Sequence, residues 1–240
     1  MMDKKISVAM PTCNRPKLAL QAVTSLYETT NHLNMELALA VDGDRETVNV
    51  IEKYLSDKIN DNWQYIIDYS PERRGALWSW NHALSLTTGD ILFPSGDDQL
   101  FYPGWLDRAL EYHDEFLDGY GMVAVNDKLH NGNILGTTLL FDRKFCVDHL
   151  GGVCTYPEYN YFYIDNELNE RAKLVGRYVW CPEAVVEHIH PDAGKRPRDQ
   201  HDMERNENRY NVIDRQIFES RKSRGFPNNF EPVITLETPE

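Results

Sequence analysis

Short apolar runs alternate with amphipathic stretches through the first half of the chain. Ile6–Met10 (ISVAM) has the unbroken apolar character of a strand buried on both faces, and Pro11 is expected to stop it. Pro16 then opens a stretch whose apolar residues, Leu18, Ala19, Ala22, Val23, Leu26 and Tyr27, recur at helical spacing. Glu36–Val41 predicts a second strand, ended by the turn Asp42-Gly43-Asp44, and Arg45–Leu55 places Val48, Ile51 and Leu55 on one helical face. Gln64–Ile67 predicts a third strand, Gly75–Leu86 a third helix and Asp90–Phe93 a fourth strand. Strands alternating with helices through short connections predict an α/β fold with a doubly wound, mostly parallel sheet.

The second half is less regular. Gly104–Phe116 predicts a helix, and Met122–Val125 and Ile134–Phe141 predict strands. The aromatic, glycine-bearing stretch 151–163 (GGVCTYPEYNYFY) predicts a loop, and Asp165–Val175 a helix. Tyr178–Cys181 and Ala184–His188 predict two short strands separated at Pro182. An amphipathic helix is expected over Met203–Arg221, followed by a tail that packs as an extended arm or frays. The chain has no internal repeat.

Composition narrows the class. With 240 residues, 41% hydrophobic and 26% charged, the chain can bury a substantial core and is too apolar to be disordered. The longest apolar run is Leu37–Val41, too short to span a membrane, and the start MMDKKISVAM lacks the apolar stretch of a secretory signal. Cysteines at 13, 146, 154 and 181 form no CxxC pair, which fits a reducing cytoplasm. A net charge of −13 argues against a surface that holds a polyanion everywhere. The charge is uneven, however: residues 195–224 carry nine Lys+Arg against six Asp+Glu, a local +3.

In a doubly wound sheet, ligands sit beyond the carboxyl ends of the strands, so the polar segments there are where chemistry is expected. They are Pro11-Thr12-Cys13-Asn14-Arg15-Pro16, Asp42-Gly43-Asp44, Ser70-Pro71-Glu72-Arg73-Arg74-Gly75 and Ser95-Gly96-Asp97-Asp98. Singly, each reads as a turn, a helix opener or a cap. Together they set acidic clusters, an Asn-Arg pair and an Arg-Arg pair along one rim. Asp97-Asp98 is the most informative, because adjacent carboxylates at a strand end repel unless a cation offsets them. Mg²⁺ or Mn²⁺ prefers such oxygens and could bridge them to a diphosphate leaving group.

In their order, these segments resemble the inverting glycosyltransferases of the GT-A fold, specifically family 2-like enzymes, over roughly residues 4–190. PTCNRP is similar to the opening that lies against the nucleotide, bringing Pro11, Thr12, Asn14 and Arg15 to the donor. Asp42 falls where the family places a carboxylate that reads base or ribose. Arg73, Arg74, Gly75 and Asn81 belong to a stretch resembling its G-x-x-x-A-x-N segment, with Trp80 close to the position of the small residue. TTGDILFPSGDDQLFYPGW resembles the strand carrying the metal-binding D-x-D, except that Ser95 stands for the first Asp and leaves Asp97 and Asp98. The stretch from Tyr163 to His188 resembles E-D-x-D/E-L-x-x-R…G…P-x-A-x-V-x-H, with Ile164 in place of the Glu. The resemblance implies that Asp165 is the general base, with Glu167 the alternative, and that His188 or His190 completes the metal shell. His188 holds the family position; His190 lies where the strand turns, and the choice between them leans to His190.

The implied architecture has a nucleotide-sugar-binding half at 1–98, an acceptor half at 99–194, and a basic loop, C-terminal helix and tail at 195–240. The implied activity is hexosyl or pentosyl transfer from a nucleotide sugar, UDP favoured, with Mn²⁺ or Mg²⁺. Lys195, with Arg196 and Arg198, either closes over the donor phosphates or is a solvated loop. The aromatics of 156–163 suit a sugar or a base equally. Two acceptors follow: a hydroxymethylated pyrimidine in DNA, as in compact bacteriophage enzymes acting in the host cytoplasm, or a saccharide or lipid-linked saccharide. The first is modestly favoured by the lack of a membrane-spanning run and by SGDD. A non-catalytic nucleotide-sugar-binding homologue is the alternative from another class, kept open by Ser95. Oligomeric state is not legible.

Overall fold

The computed structural model describes residues 4–32, 34–56, 58, 62–204 and 207–236, with the backbone alone at 201, 204, 207 and 208. Strands β1 (Ile6–Thr12), β2 (Met35–Asp42), β3 (Trp63–Ser70) and β4 (Ile91–Pro94) alternate with helices α1 (Pro16–Thr29), α2 (Arg45–Leu55) and α3 (Ala76–Ser85). This is the alternation the apolar periodicity predicts. Along β1, Ile6, Val8 and Met10 join the apolar layer packed with α1 and α2, while Ala9 joins the opposite layer with α3. Covered on both faces, the strand has no position for an exposed polar side chain. It runs through Pro11 to Thr12, two residues beyond the expected stop. Ala9 and Pro11 face the β4 side, and β4 ends in register with Ala9, so the missing N–H of Pro11 costs no ladder bond.

The second half supplies β5 (Gln99–Phe101), α4 (Trp105–Leu117), β6 (Met122–Asn126), β7 (Leu139–Asp142) and a short helix α5 (Arg143–Phe145) that continues as a π-helical turn, Cys146–Leu150. Then come α6 (Ile164–Leu174), β8 (Tyr178–His188), α7 (Gln200–Glu204) and α8 (Glu207–Ser223). The sheet order is β3-β2-β1-β4-β7-β6-β8-β5, with β7 antiparallel to its neighbours and β5 antiparallel to β8. The mostly parallel α/β sheet and the C-terminal helix agree with the expected class. Residues 205 and 206 of the expected Met203–Arg221 helix lie outside the described residues.

Three local expectations are corrected. The strand predicted over Ile134–Phe141 is confined to Leu139–Asp142, because Asn131 O accepts the N–H groups of Ile134 and Leu135, and Asn169 clamps Gly136 from both sides. The two strands expected around Pro182 are one, β8. A bulge moves the β6 register from Val125↔Cys181 to Asn126↔Val185, and Asn126 Nδ2 donates to the Pro182 carbonyl at 2.9 Å. The three residues of β5 are too few to show a period in the sequence, yet they matter most for the site. Their pairing with Val186, Glu187 and His188, continued by Ile189 N–H to Asp98 O at 2.8 Å, sets Asp98 beside the end of β8. The C-terminal tail packs as an arm: Phe226 and Ile234 are buried against the 151–163 loop, and Gly152 O accepts from Val233 and Ile234.

Candidate active site

A cleft of about 1070 Å³ opens beyond the carboxyl ends of β1, β2 and β4, and extends across β6 and β8 to the start of α6. Of the residues singled out in the sequence, Pro11, Thr12, Arg15, Asp42, Arg73, Gly75, Asp97, Asp98, Asp165, His188 and His190 line it.

At one end sits a dense ionic network. Thr12 Oγ1 donates to Asp97 at 2.8 Å, and Arg15 Nη1 donates to the other Asp97 oxygen at 3.1 Å and lies 3.7 Å from Asp98. Burial and the neighbouring negative charge of Asp98 push the Asp97 carboxyl up, against the pull of Arg15. Asp98 goes the other way: burial opposes its charge, but His188, Arg15 and Arg196 hold it well below the usual carboxylate range. His188 Nε2 is 3.3 Å from Asp98 Oδ1, and that contact raises the imidazole pKa despite burial. In the turn that follows β4, a Cβ at Gly96 would lie 2.9 Å from Asp98 Oδ1, so any side chain there would push the Asp98 carboxylate from its place.

The segment after β8 closes over this end. Arg15 donates from Nε and Nη2 to both oxygens of Asp199, at 2.8 and 3.2 Å, and from Nη2 to Asp202 at 3.0 Å. Arg196 bonds Asp202 and reaches Asp98 at 3.4 Å, while its Nε is buried with no partner among the described residues. Four carboxylates and two guanidinium groups thus meet where a diphosphate could lie.

Asp42, at the end of β2, accepts the backbone N–H of Arg74 at 2.7 Å and of Gly75 at 2.8 Å. It thereby fixes the turn that starts α3, where Gly75 has φ +99° and admits no side chain without strain. A carboxylate has lone pairs to spare beyond these two bonds, so a ligand hydroxyl can still reach it.

Across the cleft, Asp165 stands in the first turn of α6, half-buried beside Ile164 and Asn166. Burial pushes its pKa up to about 7, with His188 and His130 pulling it down and Asp127 pushing further up. A carboxyl so poised can take a proton near neutrality. Tyr161, Phe162, Asn211 and Val212 line the same end.

Five of the sequence candidates do not line the cleft. Asn14 takes a left-handed conformation, φ 52°, in the turn that lets Pro16 start α1. Arg74 is stacked over Trp78 with its guanidinium 5.3 Å from the ring centre. Asn81 ties α3 to the aromatic loop, donating to Thr155 O at 2.7 Å and accepting from the N–H of Cys154 and Thr155. Lys195 is held by Glu187 at 3.0 Å. Glu167 is wholly buried, bonded by Arg221 at 2.7 and 2.8 Å, by Tyr159 at 2.7 Å and by Arg171 at 3.2 Å. Two residues on from Asp165, it points to the opposite side of α6, where it joins that helix to α8.

The family model for glycosyl transferase family 2 matches residues 7–171, more than half of the chain. The chain belongs to glycosyl transferase family 2. Solved structures agree on the fold. The chain is similar to the mannosyltransferase PcManGT from Pyrobaculum calidifontis, solved with GDP-Man and Mn²⁺, at a TM-score of 0.62 and 18% identity, covering 78% of this chain and 57% of that one. It is similar also to TarS from S. aureus solved with UDP-GlcNAc, at a TM-score of 0.62 and 17% identity over 76% of this chain and 57% of the other. At these identities the likeness establishes the GT-A fold. The chain spans less than two thirds of the length of either. A search of curated proteins returns no match.

For a family 2 chain the fold implies a divalent ion. Among the described residues no cluster of three or more His, Cys, Asp or Glu side chains is arranged for a metal. Asp98 and His188 are nevertheless compatible with one. Their 3.3 Å separation is close to the about 3 Å between two neighbouring ligands of an octahedral ion, and a diphosphate and water could fill the other positions. Asp97 is turned to Thr12 and Arg15 instead. His190 Nδ1 accepts the backbone N–H of Asp192 at 3.2 Å and its ring centre lies 5.0 Å from that of His188, whereas His188 Nε2 is the imidazole nitrogen set against Asp98, so the geometry favours His188 over the expected His190. The pairing of β5 with β8 is the cause.

Asp127, His130, Asp199 and Asp202 went unnoticed in the sequence. The rule of reading the strand ends would have found the first two if it had been carried on to β6. The last two carry no local signal, since only the closure of the 191–204 segment brings them to Arg15.

Proposed function

We propose that this family 2 chain is a metal-dependent inverting glycosyltransferase that moves a sugar from a nucleoside diphosphate sugar to a saccharide-type hydroxyl. The observation that carries the reading is one cleft with an Arg-rich, acid-lined end and a single carboxyl of raised pKa, Asp165, at the other. On this reading Thr12, Arg15, Asp42 and Arg73 hold the donor, residues 1–98 form its half of the fold, 99–194 the acceptor half, and 195–240 the closing segment. A nucleoside diphosphate sugar with Mn²⁺ in the PcManGT structure, and one in a TarS structure, support the donor class. UDP is preferred over GDP from the sequence resemblance.

Inversion needs one base opposite the leaving group and no second carboxylic acid protonating it. Asp165 takes the proton of the attacking hydroxyl, whose oxygen forms the new glycosidic bond as the bond to the diphosphate breaks. Arg15 and Arg196 receive the diphosphate's charge, exchanging their present carboxylate partners for phosphate oxygens. When bound by Asp98 and His188, the divalent ion would supply further charge stabilisation of that leaving group. The closing segment excludes water, which would otherwise compete as acceptor. The four unpaired thiols suit a cytoplasmic setting.

The basic charge of 195–224 supports a DNA acceptor less than its arithmetic implies. Lys195, Arg196, Arg198, Arg221, Lys222 and Arg224 are all paired with carboxylates of the chain itself. Cations so committed offer little to a phosphate backbone. No helix among the described residues is long and apolar enough to cross a membrane.

The test is turnover of UDP-GlcNAc, UDP-glucose and GDP-mannose with Mn²⁺, reading nucleoside diphosphate release and the anomeric configuration of the product by NMR. Transfer with inversion from at least one donor is expected. No turnover of any donor, together with unchanged nucleotide binding in Asp97→Ala, would leave only a binding homologue. A band shift with hydroxymethylated DNA, absent with plain DNA, would restore the DNA acceptor.

A further inference from the structure

Immediately after β6, Asp127 is almost wholly buried and receives a dense set of hydrogen bonds. Its Oδ1 accepts the backbone N–H of Leu129 and of His130, each at 2.7 Å, and its Oδ2 accepts Thr137 Oγ1 at 2.5 Å and His130 Nδ1 at 2.7 Å. Two of these donors are backbone N–H groups, which can only donate, and the four together leave both Asp127 oxygens as acceptors. An ionised carboxylate can only accept, so the proton in the His130–Asp127 bond belongs to Nδ1. The neutral imidazole must then leave Nε2 bare. Its ring is 44% exposed and lines the cleft that holds Asp165, His188 and Tyr161. Asp127 O also accepts the His188 N–H at 3.0 Å, locking this turn to the end of β8. Between Asp127 and His130, Lys128 sits at φ +57°, a conformation that persists only where its surroundings enforce it.

Neither residue has a part in donor binding or in taking the hydroxyl proton. We infer that Asp127 and His130 form an acceptor-orienting pair. Nε2 of His130 receives a hydrogen bond from a second hydroxyl of the acceptor, next to the hydroxyl whose proton goes to Asp165. His130 touches the acceptor; Asp127 is a positioning residue that fixes the tautomer. The inference rests on the glycosyltransferase reading and narrows it. The acceptor is a sugar or polyol with two neighbouring hydroxyls, and an acceptor with a lone hydroxyl is oriented poorly. The geometry makes the discrimination steep, because a site built to bond a hydroxyl rejects the analogue lacking it far more strongly than an apolar pocket rejects a missing methylene.

Two measurements test it on the full chain. The first needs no activity. In ¹⁵N-labelled protein, His130 is expected as the Nδ1–H tautomer, and Asp127→Asn is expected to admit the Nε2–H form. A wild-type Nε2–H tautomer overturns the inference, whatever the enzyme does. The second uses methyl glycosides as acceptors and follows the ratio of transfer to donor hydrolysis. His130→Phe, of similar shape but without an acceptor atom, is expected to lower that ratio at least tenfold, mainly through acceptor KM. His130→Gln, whose amide oxygen still accepts, is expected to recover part of it. Deoxygenation of the acceptor beside its reacting hydroxyl should cost wild type tenfold and His130→Phe almost nothing. Equal ratios in wild type and His130→Phe, or equal losses on deoxygenation, overturn the pair while leaving Asp165 and the donor site intact. Absence of turnover in wild type would count against the glycosyltransferase reading itself, and the tautomer would still decide the pair.

Discussion

Arg15 and Asp199, 184 residues apart in the chain, form a two-pronged ion pair at 2.8 and 3.2 Å beside the adjacent carboxylates of Asp97 and Asp98. The guanidinium is therefore shared between acids that stay in the cleft and acids of the segment that closes it. On the proposed reading, a diphosphate that bonds Arg15 displaces Asp199 from it. Asp199→Asn should lower donor KM about three- to tenfold and raise protease cleavage within 191–204, measured by initial rates and limited proteolysis. An unchanged or higher KM would show that the ion pair does not compete with the donor. Arg15→Ala, in contrast, leaves Asp97 without its guanidinium partner, and is expected to raise donor KM at least tenfold and to lower Tm.

Asp165→Asn separates catalysis from stability. Loss of the base should cut transfer by about 10²–10⁴-fold. Because burial lifts the folded-state pKa to about 7, above the unfolded value of about 4, the folded protein retains a proton that the unfolded chain has released. The stabilisation from that group is full below about pH 4 and is lost as pH rises through 7. Asp165→Asn should accordingly melt a few degrees higher than wild type at pH 8 and no higher at pH 4, by calorimetry. A variant less stable at pH 8 would contradict the raised pKa.

The two histidines of His188-Ile189-His190 are expected to part company when the metal is titrated. Asp98→Ala and His188→Ala should each weaken Mn²⁺ binding in the presence of UDP more than tenfold by electron paramagnetic resonance, while His190→Ala changes it less than threefold. EDTA should abolish transfer and added Mn²⁺ restore it. An equal or larger effect at His190 would reinstate that residue as the ligand.

Glu167 and Arg221, both without solvent exposure and 2.7 Å apart, should behave as a structural pair. Arg221→Ala removes two of the four hydrogen bonds to a buried carboxylate, which keeps Tyr159 and Arg171, and is expected to cost about 2–3 kcal/mol, which at this chain length lowers Tm by about 5–10 °C. Glu167→Gln keeps the shape and should leave the pH profile of transfer in place, because on the proposed reading the rising limb belongs to Asp165. A shifted limb in Glu167→Gln would return Glu167 to the chemistry.

The sequence by itself determined the alternation of β1 to β4 with α1 to α3 and the rim on which Thr12, Arg15, Asp42 and Asp97-Asp98 lie. These follow from local physics. Strands buried on both faces must be apolar runs, amphipathic helices show their period, and the loops after parallel strands must gather at one edge. Only the tertiary structure decided the rest. Asp165 and Glu167 share one helical turn and one sequence signal, yet Arg221 claims Glu167 for the core and leaves Asp165 to the cleft. His188 rather than His190 meets Asp98 because a three-residue strand, too short to show any periodicity, pairs antiparallel with β8. By count, the residues near the C-terminus carry a local +3, yet Lys195, Arg196, Arg198, Arg221, Lys222 and Arg224 are paired with acids scattered from Asp98 to Asp202. Periodicity and charge count report what each residue is; which acid meets which base depends on contacts between residues far apart in the chain, and those form only when the sheet closes.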